Sequence, residues 1–288
     1  MTKQPSLFDQ ARPDNSFYGY VLREAKRMWP NDTHRSRSLS QCRVFTDFGD
    51  TAKRPLSQFL ASDIDDFADH LIAQGKSEAT VNRYLASISK VFNHALTKRV
   101  IGHAPKPNFF KETEGRVRYF EQHEIDQMLS FFADRGDWWM RDMVFLALKT
   151  GMRKGEIVAL GQGRATLSMC GDWIELPAAV TKTGKARLVS IKHRDANAAA
   201  HRLAADLDSE YTDKRFEYRW GLLKREYARD DDTYVFHVTR HTAASKMAND
   251  LAVPTVTIAE ALGHSSLKTT QKYVHAKPDT LADISLRM

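Results

Sequence analysis

The sequence predicts a mainly α-helical protein with a small antiparallel β-sheet, an all-helical domain coming first and an α+β domain second. Apolar residues recur at helical spacing over most of the 288 residues. The period shortens to that of strands only between residues 173 and 191, and a proline-broken segment separates the two parts. A composition of 42% hydrophobic and 27% charged residues suits folded cores and excludes a globally disordered chain.

Residues 1–14, with Pro5 and Pro13, read as a loose lead-in. A helix over 17–29 places Tyr20, Val21, Ala25 and Met28 on one face, and Pro30 ends it. A second spans 37–48. A third follows Ser62, its stripe of Ile64, Phe67, Ala68 and Leu71 stopping near Gly75. Thr80 is placed to cap a fourth, where Val81, Tyr84, Leu85, Ile88, Val91, Phe92 and Ala95 recur at helical spacing. Residues 15–101 thus form one helical domain. Gly102, Pro105 and Pro107 break the periodicity, so 102–116 read as a linker. In the second domain, 117–274, helices are expected at 121–133, 140–149, 197–208, 216–229, 239–250, 256–262 and 266–274. Segments 173–176 and 186–191 read as strands around the turn-forming Thr183-Gly184. Gly161-Gln162-Gly163 reads as a flexible turn, and 275–288 as a C-terminal tail expected to contact a neighbouring protomer and couple it to assembly.

Lys and Arg number 43 against 36 Asp and Glu, a net charge of +7 that suits a polyanionic partner without requiring one. Cys42 and Cys170 stand far apart without metal-ligand spacing, so neither a disulfide scaffold nor a structural zinc is expected. A cytoplasmic setting is the corresponding expectation. The opening Met1-Thr2-Lys3-Gln4-Pro5 has no signal-peptide run, and no stretch reaches 18 apolar residues, so no membrane partner is expected.

Metal-hydrolase, phosphate-loop and nucleophile-elbow motifs are absent from the sequence. What stands out is a series of cations. Arg153 lies in Thr150-Gly151-Met152-Arg153-Lys154-Gly155-Glu156, near a helix start, and Lys182 in Thr181-Lys182-Thr183-Gly184-Lys185. His237-Val238-Thr239-Arg240-His241 and Leu262-Gly263-His264-Ser265-Ser266 follow, and then Tyr273. Such a set suits phosphodiester chemistry. Two guanidiniums can present planar forks to the non-bridging oxygens and stay charged throughout. A phenol, with an ordinary pKa of about 10, needs a neighbour or a positive field to give up its proton. A departing 5′ alkoxide must receive one, and a lysine on a turn can deliver it.

The order of these elements resembles the phage-integrase family of tyrosine recombinases, whose signature is Arg, a hairpin Lys, His-x-x-Arg, Leu-Gly-His and a final Tyr. The resemblance covers nearly all of the second domain. The first domain resembles the family's helical core DNA-binding domain in position, length and helix content only. The resemblance implies an α+β tyrosine recombinase catalytic domain in which Arg153 and Arg240 hold the scissile phosphate and Lys182 protonates the 5′ leaving oxygen. His237 and His264 would hydrogen-bond and transfer protons, and Tyr273 would attack. Glu156 matches an acidic position supporting the first arginine, and His241 a frequent second histidine. No cofactor and no metal are implied. The implied partners are double-stranded DNA recombination sites, a homotetramer on two paired duplexes, and an accessory DNA-bending or directionality protein.

Two departures stand out. Val238-Thr239 replaces a common Asp-Leu pair, and 161–168 lack the usual strand after the first arginine, so the sheet is expected to differ there in edge or register. Blander readings stay open. Lys185 competes with Lys182 for the acid role or serves as a phosphate contact. His264 can cap the preceding helix, Tyr273 can be a core aromatic, and Glu156 can pair with Lys154 or Lys185. In the first domain Lys26, Arg27, Arg35, Arg37 and Arg43 either follow a phosphate backbone or make a solvated face. Arg83 and Lys90 share a helix face and are the better groove candidates. The favoured function is an integrase of a phage or other mobile element. The alternatives are a recombinase that resolves chromosomes or plasmids, a type IB topoisomerase, and an inactive DNA-binding regulator.

Overall fold

A computed structural model describes residues 16–49, 51, 54–111 and 118–273, so the expected lead-in and tail lie outside the described residues. The chain divides into two compact units between Glu114 and Gly115.

In the first unit, side-chain oxygens accept the orphan amides that open three of the four helices. Ser16 accepts from the Gly19 amide at 3.2 Å and starts α1 (Phe17–Met28). Asn31 accepts from His34 and starts α2 (Asp32–Asp47), more than a turn before the expected residue 37. Next comes α3 (Ala61–Ala73), and Ser77 caps α4 (Glu78–Thr97). Thr80 is therefore not the cap; its amide is the donor to Ser77, 3.4 Å away. A phenylalanine cluster fills the centre: Phe17 meets Phe45, Phe59 and Phe92 at 5.0, 5.8 and 5.4 Å between ring centroids. Each such buried ring contributes about 1.5–3 kcal/mol.

The first part of the expected linker belongs to this unit. Asn108 donates from its backbone and side chain to Asp65 at 3.0 and 2.8 Å. Asn82 exchanges two hydrogen bonds with the Phe110 backbone, at 2.9 and 3.0 Å. Prolines broke the periodicity there, but the extended backbone found side-chain partners.

The second unit runs through α5 (Gln122–Asp134), α6 (Trp138–Thr150), α7 (Lys154–Gly161), β1 (Thr166–Leu167), β2 (Trp173–Leu176) and β3 (Arg187–Ser190). It continues through α8 (Arg194–Glu210), α9 (Asp213–Tyr227), α10 (Val238–Asn249), α11 (Thr255–Leu262) and α12 (Leu267–Gln271). The sheet is antiparallel in the order β1-β2-β3, with Ile174 opposite Val189 and Leu176 opposite Arg187. An edge strand is thus present within 161–168, two residues long, with Thr166 opposite Glu175. Gly161 is no flexible turn. It ends α7 so close to α8 that a β-carbon there would sit 2.5 Å from that of Leu207. Helix α6 packs against α5, α8 and α10 at the centre of the core.

Candidate active site

The site is assembled where three chain reversals meet. Helix α6 ends on Gly151, left-handed at φ +67°, whose amide bonds the Ala147 carbonyl at 2.8 Å. That reversal buries Met152 and makes Arg153 the N-cap residue of α7. Glu156, in the first turn and 1% exposed, accepts from the Arg153 amide at 2.9 Å and from Arg153 Nη1 at 3.1 Å. Its other partner is Arg187 on β3, at 2.7 Å, rather than Lys154 or Lys185.

Gly151 has a second duty. A β-carbon on it would fall 2.3 Å from Leu262 Cδ2, the residue that ends α11. Gly151→Ala should therefore destabilise by about 2 kcal/mol, which is roughly 4–8 °C in the unfolding midpoint. Gly184→Ala, equally left-handed at φ +67° but facing open space, should lose clearly less. Equal midpoints in thermal melts of the two variants would remove the packing argument.

Arg240 lies in the first turn of α10 and is 2% exposed. Its Nη1 donates to the Gly151 carbonyl at 2.7 Å and its Nη2 to the Leu262 carbonyl at 2.5 Å. Burial, and next the neighbouring Arg153, push its pKa down to about 9, which still leaves it charged at neutral pH. Val238 and Thr239, in place of the common Asp-Leu pair, are both buried, and the Thr239 hydroxyl donates to the Phe236 carbonyl at 2.7 Å.

Gly263, left-handed at φ +64°, terminates α11, so His264 is not its cap. His264 Nδ1 instead sits 2.8 Å from the hydroxyl of buried Thr270. Burial first, then Arg240 and Arg153, lower its pKa to about 4. Tyr273 follows α12 in a turn, not on the helix itself as expected, and is 2% exposed. Its ring packs with Ala244, Ile258 and Leu262, and its hydroxyl lies 2.5 Å from His241 Nδ1. Burial raises the phenol's pKa, against the opposing pull of Arg240 and Arg153. His241, lowered to about 4 by burial and then by His237, is neutral at pH 7, and in the tautomer protonated at Nε2 its Nδ1 accepts from the hydroxyl. The resting tyrosine is a neutral phenol.

His237 is the N-cap residue of α10, exposed, with its ring centroid 4.8 Å from that of His241. Desolvation by the cleft, followed by Arg240, Arg153, Lys272 and Lys182, lowers its pKa. Lys182 thus acts electrostatically on the histidine from an exposed turn. That turn is closed by the Thr181 hydroxyl, which donates to the Lys185 carbonyl at 2.8 Å, and Lys185 is exposed beyond it. Sequence reasoning missed Arg187 and also Lys272, whose Nζ lies 5.1 Å from the Tyr273 ring centroid. Nothing in the strand alternation of 186–191 marks Arg187 as different from its neighbours. Among the described residues no group of three His, Cys, Asp or Glu side chains is placed to hold a metal ion.

The first-unit cations divide. Arg27 forms a two-oxygen pair with Glu24 at 2.9 and 3.1 Å. Arg35 is tied to Asp32 and to the Trp29 and Pro30 carbonyls, stitching the α1–α2 turn. Arg43 lies 4.0 Å from Asp47. Lys26 and Arg37 are exposed on α1 and α2. Arg83 and Lys90 are exposed on α4 in one stripe with Ala86, Asn93 and Thr97, without an acidic residue among them.

The guanidiniums of Arg153 and Arg240, the imidazoles of His237, His241 and His264 and the buried phenol of Tyr273 thus share one site. Residues 118–279 match the phage integrase family, more than half of the chain. The chain belongs to that family and is a site-specific tyrosine recombinase, which cuts and rejoins DNA through a phosphotyrosine intermediate. It is 26% identical over 265 residues to the tyrosine recombinase XerC of Pelobacter propionicus, covering 80% of this chain and 84% of that one. It is 28% identical over 243 residues to the shufflon-specific DNA recombinase of Escherichia coli, covering 78% and 60% of the two chains. Among solved structures, the Tn1549 transposon integrase in complex with a circular intermediate DNA superposes with a TM-score of 0.75 at 16% identity. That match covers 94% of this chain and 99% of the other, and it shows the shared fold.

Proposed function

We propose that the protein is an integrase of a phage or other mobile element and that Tyr273 is its nucleophile. The observation that carries the assignment is the buried Tyr273 hydroxyl, hydrogen-bonded to His241 and set among Arg153, Arg240 and His264. Attack on a phosphodiester gathers negative charge on the non-bridging oxygens, and Arg153 and Arg240 supply fixed positive charge for it. His264 and His237, neutral at pH 7, can donate or accept one proton each as the phenol loses its own. Lys182 protonates the departing 5′ oxygen. The phosphotyrosine at the 3′ end conserves the bond energy, so a new 5′ hydroxyl can reverse the step on another strand.

Arg83 and Lys90 on α4 are the proposed groove contacts, with Lys26, Arg37 and Lys185 on the backbone. Arg27, Arg35 and Arg43 have acidic partners to leave first. Two duplexes demand four cuts and each chain supplies one nucleophile, so a homotetramer on paired sites in the cytoplasm is proposed. The expected coupling element, 275–288, lies outside the described residues. A second reading, a recombinase resolving chromosomes or plasmids, is favoured by the similarity to XerC. The match to the phage integrase family favours the element-borne one. A nicked suicide duplex carrying the cognate site tests the proposal. Trapped 3′-linked protein together with exchange between two duplexes supports a recombinase; relaxation of a supercoiled plasmid, assayed in parallel, without exchange supports a topoisomerase; binding without a covalent product supports an inactive regulator.

A further inference from the structure

We propose that Arg187 is a positioning residue for strand cleavage, holding Arg153 available to the scissile phosphate by sharing its carboxylate partner and tying that partner to the chain before His264. The inference rests on the recombinase reading above, with Arg153 on the phosphate.

Two guanidiniums run side by side through this unit. Arg240 joins the Gly151 carbonyl to the Leu262 carbonyl. Arg187 joins the Glu156 carboxylate to the Ala261 carbonyl, with donor distances of 2.7 and 2.5 Å. Together they fasten two consecutive carbonyls at the C-terminus of α11, the negative end of its dipole, to two points flanking Arg153. The Arg187 side chain is 9% exposed, and its Nε is buried without a hydrogen-bond partner among the described residues. It threads past Gly263, where a β-carbon would fall 2.9 Å from Arg187 Cδ. Its two terminal nitrogens are taken up by the Glu156 carboxylate and the Ala261 carbonyl. Its effect must pass through what it holds.

Charge decides what that effect is. Glu156 is buried and accepts from Arg153 through both of its oxygens. With Arg153 alone, carboxylate and guanidinium would cancel, and the attraction across a dry contact would draw Arg153 away from the cleft. A second guanidinium on the same carboxylate leaves one net positive charge, so Arg153 can be shared with a phosphate. Lysine cannot replace it fully, because one ammonium is a point donor where a planar fork bridges two separate acceptors.

The test uses the full-length protein on the nicked suicide duplex, reading the single-turnover cleavage rate, duplex affinity and unfolding midpoint. Arg187→Gln should slow cleavage by about 10- to 100-fold while duplex affinity changes less than about threefold. In a Glu156→Gln background the same change should cost about threefold or less, because the charge it balances is gone. Arg187→Lys, which keeps the charge and stem if the glutamine variant folds poorly, should fall between wild type and Arg187→Gln. Val189→Ala on the same strand is the control: it should lower the midpoint without lowering the rate of the folded protein. Wild-type rates in both Arg187 variants, or full additivity with Glu156→Gln, overturn the assignment. If wild type forms no covalent product, the recombinase reading itself fails first, and the two failures are told apart.

Discussion

Tyr273→Phe abolishes covalent attachment to DNA and leaves affinity for duplex within about threefold. The ring sits with Ala244, Ile258 and Leu262, which accept phenylalanine unchanged, and the lost hydroxyl releases a single hydrogen bond to His241. Binding is spread over many phosphate contacts, so it survives. Other tyrosines are poor substitutes. The Tyr211 hydroxyl donates to Asp213 at 2.6 Å, and burial raises its pKa. Tyr234 is 2% exposed, its hydroxyl has no hydrogen-bond partner among the described residues, and burial raises its pKa too. Proteolytic mapping of the DNA-linked peptide after suicide-substrate trapping checks the assignment. Label recovered on Tyr211 or Tyr234 would falsify it.

What the sequence disclosed follows from which interactions are local. Amphipathic stripes such as Ile64-Phe67-Ala68-Leu71 report burial every turn, so the helices were legible, and the shift of period at 173 exposed the sheet. Their starts were less so. Ser77 and Thr80 are both capping residues, and only geometry shows which one accepts. The motif residues Arg153, Arg240, His264 and Tyr273 were legible as a set, and the structure brings them together. What joins them was not. The Arg240 bonds to Gly151 and Leu262 span 89 and 22 residues, and that of Arg187 to Ala261 spans 74, distances over which a sequence carries no periodic signal. For the same reason Gly161, where a β-carbon would fall 2.5 Å from that of Leu207, passes for a turn in a string of letters. Arg27 and Arg35 looked like DNA contacts because a basic run is visible, whereas the acids and carbonyls that hold them depend on the fold.

Lys182→Ala should slow cleavage of ordinary DNA by about 10²- to 10⁴-fold, the span that loss of a general acid produces, yet leave duplex binding nearly intact. The reason lies in the leaving group. A 5′ alkoxide is a far stronger base than a phenolate, so without a proton donor the equilibrium favours return of the phosphoryl group to it. The turn holding Lys182 is fixed at its base by the Thr181 bond to the Lys185 carbonyl and by left-handed Gly184, which leaves the lysine exposed and within electrostatic reach of His237. A thiolate needs no such proton. Replacing the bridging 5′ oxygen by sulfur should therefore restore the Lys182→Ala rate to within about tenfold of wild type, while Arg153→Ala, which acts on non-bridging oxygens, gains little. Lys185→Ala should weaken binding, more so at high salt, and show no sulfur rescue. If sulfur rescues Lys185→Ala and not Lys182→Ala, the proton comes from Lys185; if it rescues neither, the leaving oxygen takes its proton from elsewhere, and His237, on which Lys182 acts electrostatically, is the next residue to test.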